Sequence, residues 1–367
     1  MENAKYKTIL RADFAAALFA LTCFISTSPA FAAVPTPRDM RGPFPILSVP
    51  YFEDGAIDWD ALAREVRWTA SCGCPGVIWC QSNDSIDLLT TEEKFKGFEV
   101  CAKAAEGLDI VLAIGANGTN ATEMLDIAAE IERVAERHPA AKIAMASRPP
   151  DDVRSEEALE SAWDRLGAVA KRPVIFQTYC SSATPTPSVE LMVRLAMRHP
   201  HAFGYIKEEA AGDSANQRMV KENAAKPHIK TVFSGWGGWQ WLYQLRECGS
   251  EGLVTERCAY APLLGEMWRR YERGERGAAL TEAFAMYRLL IDQRNFPAGL
   301  RGYSLYLLAK EGVFSSLVSR QYAKAKVTEG GSFGHGKKWK LETVKLTDRQ
   351  KRELDRLLDD MKSFVSR

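Results

Sequence analysis

A lysine closing an apolar run is the residue of this 367-residue chain best placed to do chemistry. It stands in "GYIKEEAAGD", residues 204–213, where Tyr205 and Ile206 lead into Lys207, Glu208 and Glu209 ahead of an Ala-Gly-Asp turn. If the segment is a strand, Lys207 shares a face with Tyr205 and Glu209, and Ile206 and Glu208 point the other way. Packed among apolar layers the amine loses solvation, which disfavours its charged form. A neutral lysine attacks ketones and forms a Schiff base. Glu209, on the same face, can hold a water or pair with the amine. The plain alternatives are a salt-bridged surface lysine and a solvated rim carboxylate.

The elements that would position this lysine alternate regularly. Short β-rich runs lie at 44–52, 76–81, 110–116, 142–147, 174–179, 204–209, 231–236 and 252–256, with amphipathic stretches between them. "DWDALAREVRWTASCG" starts on an Asp cap, keeps Leu62, Val66 and Thr69 on one stripe and ends at Gly73. Eight such units predict an α/β fold, a parallel (β/α)8 TIM barrel over 42–262 with a C-terminal helical extension. A doubly wound sheet is the alternative, but no GxGxxG follows an early strand. Beyond the barrel the pattern predicts helices over 263–323, a flexible connector over 324–346 and a terminal helix over 347–367. The connector contains G-x-x-x-x-G-K, yet Lys338 stands where a P-loop needs Ser or Thr, so a loop is expected there. In a TIM barrel the chemistry sits at the C-terminal ends of the strands, and Lys207 closes the sixth.

Composition narrows the partners. Lys5, Lys7 and Arg11 precede an uncharged run from Phe14 to Ile25, and Ala30-Phe31-Ala32 offers a small-x-small cleavage pattern. Residues 1–32 therefore read as a signal peptide, and the expected location is outside the cytoplasm, in a bacterial periplasm. Their removal takes three of 48 basic and two of 47 acidic residues and leaves 45 of each. A balance of that kind gives no electrostatic footprint for nucleic acid or an anionic membrane, so a small molecule is the expected partner. Seven cysteines remain after Cys23 is removed, an odd number, and most sit in apolar runs as small core residues. Cys72-Gly73-Cys74 has the wrong spacing for a zinc knuckle and no histidine adjoins an acidic cluster; no metal and no cofactor is expected.

From about Gly42 to Tyr322 the chain resembles the dihydrodipicolinate synthase and N-acetylneuraminate lyase family, lysine-imine lyases and aldolases that act on 2-oxo acids. The matching stretches run in order: "PFPILSVPYFEDGAIDWDALAREV", "LLTTEEK", "AIGANGTNATEMLDIA", "RPVIFQTY", "GYIKEEAAGD" and "VFSGWGGW". The resemblance implies that Lys207 forms the imine, that pyruvate or a derivative is the substrate, and that the protein is a homodimer or homotetramer. It also exposes departures. The family's glycine-bounded hydroxyl loop after the second strand is replaced by Gln81-Ser82-Asn83-Asp84-Ser85, so Ser82 and Asn83 are left to bind the substrate carboxylate. Gln177 stands in place of the catalytic tyrosine and cannot act as an acid or base near neutral pH. Tyr179, two residues on and about 7 Å along the strand, is the candidate replacement, with a packed aromatic as the alternative. Ser182 stands for the arginine that holds the synthase substrate, and Arg148-Pro149-Pro150 for a further tyrosine. Trp236, at the mouth, could stack on a ring or sugar face, while Trp239 and Trp241 begin a helix and pack.

Two functions follow. One is an aldolase or hydro-lyase acting on a 2-oxo acid through a Schiff base, with Lys207 and Tyr179 catalytic and Ser82, Asn83, Gln177, Glu209 and Trp236 binding substrate. It is not a true dihydrodipicolinate synthase. The other is a barrel that has lost the chemistry and serves as an exported small-molecule binding protein.

Overall fold

The structure, a computed structural model, describes residues 40–81, 86–178, 184–210, 214–292, 299–323 and 338–366. The stretch read as a signal peptide therefore lies outside the described residues. So do Ser82, Asn83, Tyr179 and Ser182.

Eight parallel strands make the barrel: β1 (Gly42–Pro43), β2 (Gly76–Trp79), β3 (Val111–Gly115), β4 (Lys142–Ser147), β5 (Val174–Gln177), β6 (Tyr205–Glu208), β7 (Thr231–Ser234) and β8 (Gly252–Leu253). Each pairs with the next from β2 to β8, and β8 pairs with β1. Ile46 bridges to Ile78, and Leu47 N donates to the Ile78 carbonyl at 2.8 Å, which brings the first strand against the second. The expected TIM barrel is what forms.

Helices α1 (Trp59–Ser71), α2 (Thr91–Ala105), α3 (Ala121–Arg137), α4 (Glu156–Val169), α5 (Val189–Arg198) and α6 (Ser214–Ala224) cover the strands. The first five start on side-chain caps from Asp58, Thr90, Asn120, Ser155 and Ser188. Each cap satisfies an orphan backbone donor and contributes about 1 kcal/mol. Those caps end the loops that leave the strands' C-terminal ends, so the same short polar residues fix both the helices and the rim of the site. Leu62, Val66 and Thr69 of α1 are buried as their spacing predicts, and Gly73 takes a left-handed φ of +89° that ends the helix region.

Two cores result from the two faces of the strands. Between strands and helices, Trp163, Phe176 and Phe203 stack at centroid separations of 4.2 and 4.3 Å. Inside the barrel lie Phe44, Ile78, Ala144, Ile175, Tyr205 and Phe233. Tyr205 is thus an inward residue, which puts Lys207 and Glu209 inward above it.

The C-terminal part departs from the sequence reading. After a short α7 (Trp241–Tyr243), α8 (Ala261–Glu272), α9 (Ala278–Ile291) and α10 (Gly299–Lys310) are helical as predicted, but Val318–Tyr322 is a strand, β9, and not the end of a helix. It pairs antiparallel with β10 (Trp339–Thr343), so the expected flexible connector contains a strand. The terminal helix α11 (Asp348–Val365) starts on a Thr347 capping box. The G-x-x-x-x-G-K stretch, residues 331–337, lies outside the described residues. The described cysteines 72, 74, 80, 101, 248 and 258 carry free thiols, all but Cys72 buried.

Candidate active site

Lys207 is the last inward residue of β6, in register with Gln177 of β5 on one side and Phe233 of β7 on the other. It is 4% exposed, directly above the Tyr205 layer, so the surface-lysine alternative falls. Desolvation does not act on it alone, because its Nζ lies 2.9 Å from Glu209 Oε1. Glu209 is itself only 8% exposed. The solvated-rim alternative falls too: Glu209 is a buried counter-ion of the candidate nucleophile.

Glu209 is held at every polar atom. Its Oε1 also accepts from Trp236 N at 2.9 Å, and its Oε2 from Gln177 Nε2 at 2.6 Å. Its backbone N donates to Thr178 Oγ1 at 2.6 Å, and its carbonyl accepts from Trp236 Nε1 at 3.0 Å. Gln177 in turn accepts from Gln81 Nε2 through its own Oε1. A row of side chains, Gln81, Gln177, Glu209 and Lys207, therefore crosses the barrel mouth from β2 to β6. In the sequence Gln81 stands out only as part of the replaced stretch 81–85. Its role was not legible, because its partner is 96 residues away.

The backbone is bent to build this row. Among the described residues two non-glycine residues have left-handed φ, Cys80 at +63° and Trp236 at +50°. One immediately precedes Gln81 and the other supplies the amide that holds Glu209. Such conformations cost about 1–3 kcal/mol and persist where the surroundings over-determine them. Gly235 is the opposite case of the same demand for space: a Cβ there would stand 2.0 Å from Glu209 Cγ.

Glu208, facing outward, fixes β6 from the other side. It accepts from Thr178 Oγ1 at 3.0 Å, Ala210 N at 2.6 Å and Arg218 Nε at 3.0 Å. Arg218 also approaches the fully buried Glu222 at 3.7 Å. One guanidinium thus serves two carboxyls. Burial, then the Glu208 charge, pushes the Glu222 carboxyl well above its usual value.

Trp236 opens a short 3-10 turn, Trp236–Gly238, and is 43% exposed, so an aromatic face is presented at the mouth. The turn is braced from the C-terminal helices: Tyr287 OH donates to the Gly237 carbonyl, and Arg288 Nη1 to the Trp239 carbonyl at 2.8 Å. Trp241 is buried and packs, as expected. Arg148, at the end of β4, is buried and ion-paired with Asp151 at 2.7 Å. Burial pushes the Cys80 thiol up to about 12, which removes it as a nucleophile at neutral pH. The β9–β10 hairpin reaches the rim as well. Arg320 donates to the Gly55 carbonyl and to both oxygens of Glu93, and Tyr322 OH to Asp87, which lies four residues beyond Asn83 in the sequence.

The comparisons agree with this geometry. No family profile matches the chain. A 4-hydroxy-tetrahydrodipicolinate synthase of Chlorobaculum parvum is 25% identical over 225 residues, 61% of this chain and 72% of its own length. An uncharacterised DapA-like lyase of Pyrococcus furiosus is 23% identical over 255 residues, 68% of this chain and 80% of its own. The solved sialic acid aldolase of Ruminococcus gnavus superposes with a TM-score of 0.69 at 15% identity, covering 89% of this chain and 99% of its own. The chain is thus a divergent relative of the 4-hydroxy-tetrahydrodipicolinate synthases in sequence, and shares the fold of those synthases and of the sialic acid aldolase.

Proposed function

We propose that the protein is a lyase, an aldolase or hydro-lyase, that acts on a 2-oxo acid through a Schiff base on Lys207. The observation that carries the reading is a single buried amine at the C-terminal end of β6, facing inward; the sequence resemblance is what assigns it the imine role. Its chemistry differs from that of the named synthases, because Gln177 occupies the catalytic tyrosine's place and donates to Glu209 instead of titrating. The low identity fits that difference. Ser82 and Asn83 are the proposed holders of the substrate carboxylate, and Tyr179 the proposed spare phenol; these assignments rest on the sequence. The exposed Trp236 favours a substrate with a ring or sugar face, pyruvate being the simplest member of the class. Export through residues 1–32 and assembly as a dimer or tetramer are parts of the same proposal. A barrel that binds without reacting finds no support among the relatives named above.

The test is incubation with pyruvate and a panel of larger 2-oxo acids, reduction by borohydride and measurement of the intact mass. The expected result is one adduct per chain with at least one acid, lost in Lys207→Arg. Absence of an adduct across the panel would overturn the reading.

A further inference from the structure

We propose that Glu209 is the acid–base catalyst of imine formation and hydrolysis, in the role that Gln177 cannot fill. The inference rests on the Schiff-base reading above and adds the group that moves its protons.

Three observations point to it. The Glu209 carboxylate touches the reacting atom itself, with Oε1 2.9 Å from Lys207 Nζ, and so needs no relay to reach it. Second, the surroundings aim it: Gln177 Nε2 holds Oε2, Trp236 N holds Oε1, and Thr178 Oγ1 holds the backbone amide. A carboxylate that merely neutralised a lysine would not require a left-handed Trp236 or a glycine at 235 to admit its Cγ. Third, both ionisable groups are almost fully buried, so bulk water is not the ready proton carrier at this amine. Among the described residues that contact Lys207 and Glu209, Gln177 and Thr178 do not titrate near neutral pH.

The proton balance closes with these two side chains and the substrate. Glu209 takes one proton from the Lys207 ammonium, giving a neutral amine and a neutral acid. The amine lone pair forms the N–C2 bond as the C2=O π pair moves to oxygen. Glu209 delivers its proton to that oxygen and takes one from the now cationic nitrogen, leaving a neutral carbinolamine. It then returns this proton to the carbinolamine hydroxyl as the C2–O bond breaks. Water leaves, the nitrogen lone pair makes C2=N, and the products are the protonated imine and the Glu209 carboxylate. Ammonium and ketone have become iminium and water with no net proton gained or lost, and hydrolysis runs the same steps backwards. Positioned proton transfer of this kind contributes about 10²–10⁴-fold in rate.

The experiment measures the rate at which the full-length protein forms its reducible adduct with whichever 2-oxo acid labels it. Glu209→Gln keeps the size of the side chain and one of its two acceptor oxygens but cannot carry a proton, and it is expected to slow adduct formation about 100-fold or more with the label still on Lys207. Glu209→Ala is expected to be as slow and to be accelerated at least tenfold by added formate, a response that a merely structural role would not give. Circular dichroism establishes that each variant is folded; if the glutamine variant is not, the alanine variant with and without formate gives the answer. A glutamine variant within about twofold of the parent rate overturns the inference while leaving the Schiff-base reading intact. Slow variants with no response to formate overturn it as well, leaving Glu209 a positioning residue. No adduct in the parent protein removes the Schiff-base reading and this inference with it.

Discussion

Lys207 and Glu209 form a buried ion pair, and each is costly without the other. Removing one partner of such a pair leaves an uncompensated buried charge, at about 3–5 kcal/mol. Lys207→Met is therefore expected to lower stability by about 3 kcal/mol in urea denaturation, and the double variant Lys207→Met/Glu209→Gln to regain part of that loss. Additive losses would show that the 2.9 Å contact carries no coupling. Gly235→Ala drives a methyl to 2.0 Å from Glu209 Cγ and 2.4 Å from the Glu208 carbonyl. It is expected to cost about 1–3 kcal/mol, as overpacking does, and to slow adduct formation by displacing the carboxylate. Parent-like trapping in that variant would separate the Gly235 contact from the chemistry. At this scale the sequence showed Lys207 clearly, because strand alternation and register place it with few alternatives. It did not show that Glu209 and Gln177 are one hydrogen-bonded unit, since that bond joins two strands and 32 residues of chain.

Elements hold the site through their outward faces. The outward residue of β6, Glu208, shares Arg218 of α6 with Glu222, and Glu222 is the carboxyl that burial pushes well above its usual value. The folded chain keeps the Glu222 proton at pH values where the unfolded chain, titrating near 4.5, has lost it. Its contribution therefore turns against folding as pH rises past 4.5, by up to about 1.4 kcal/mol per pH unit until the raised folded value is reached. Glu222→Gln is expected to be more stable than the parent by about 1 kcal/mol or more at pH 8, with the difference shrinking towards pH 4. A pH-independent difference in melting curves would contradict the assignment. The β9–β10 hairpin acts at the rim too, through Arg320 and Glu93. Burial pushes the Glu93 carboxyl up, but its bonds from Arg320 and Thr90 N outweigh that and hold it below its usual value. Arg320→Ala is expected to cost about 1.5–3 kcal/mol, the scale of hydrogen bonds to charged groups. Because Asp87, which Tyr322 holds, is only four residues beyond Asn83 in the sequence, the variant is also expected to raise the 2-oxo acid concentration needed for half-maximal trapping. The hairpin escaped the sequence reading for a physical reason. "VSRQY" is short, follows helices, and meets its partner strand only beyond a polar connector, so no local turn signal announces it.

On the scale of the whole molecule, the eight strand-and-helix units were legible because their alternation of β-rich runs and capped amphipathic helices leaves few folds open. The C-terminal helices were legible as helices but not as a brace: α9 reaches the Trp236 turn through Tyr287 and Arg288, contacts that no spacing in the sequence records. What the barrel contributes is burial of one amine, with Gln177 joined to it through Glu209. The direct measurement is peptide mapping by mass spectrometry of protein reduced with borohydride in the presence of a labelling 2-oxo acid. The adduct is expected on the peptide containing Lys207 and on that lysine alone; an adduct confined to surface lysines, with Lys207 unmodified, would show that the barrel lysine is not the nucleophile.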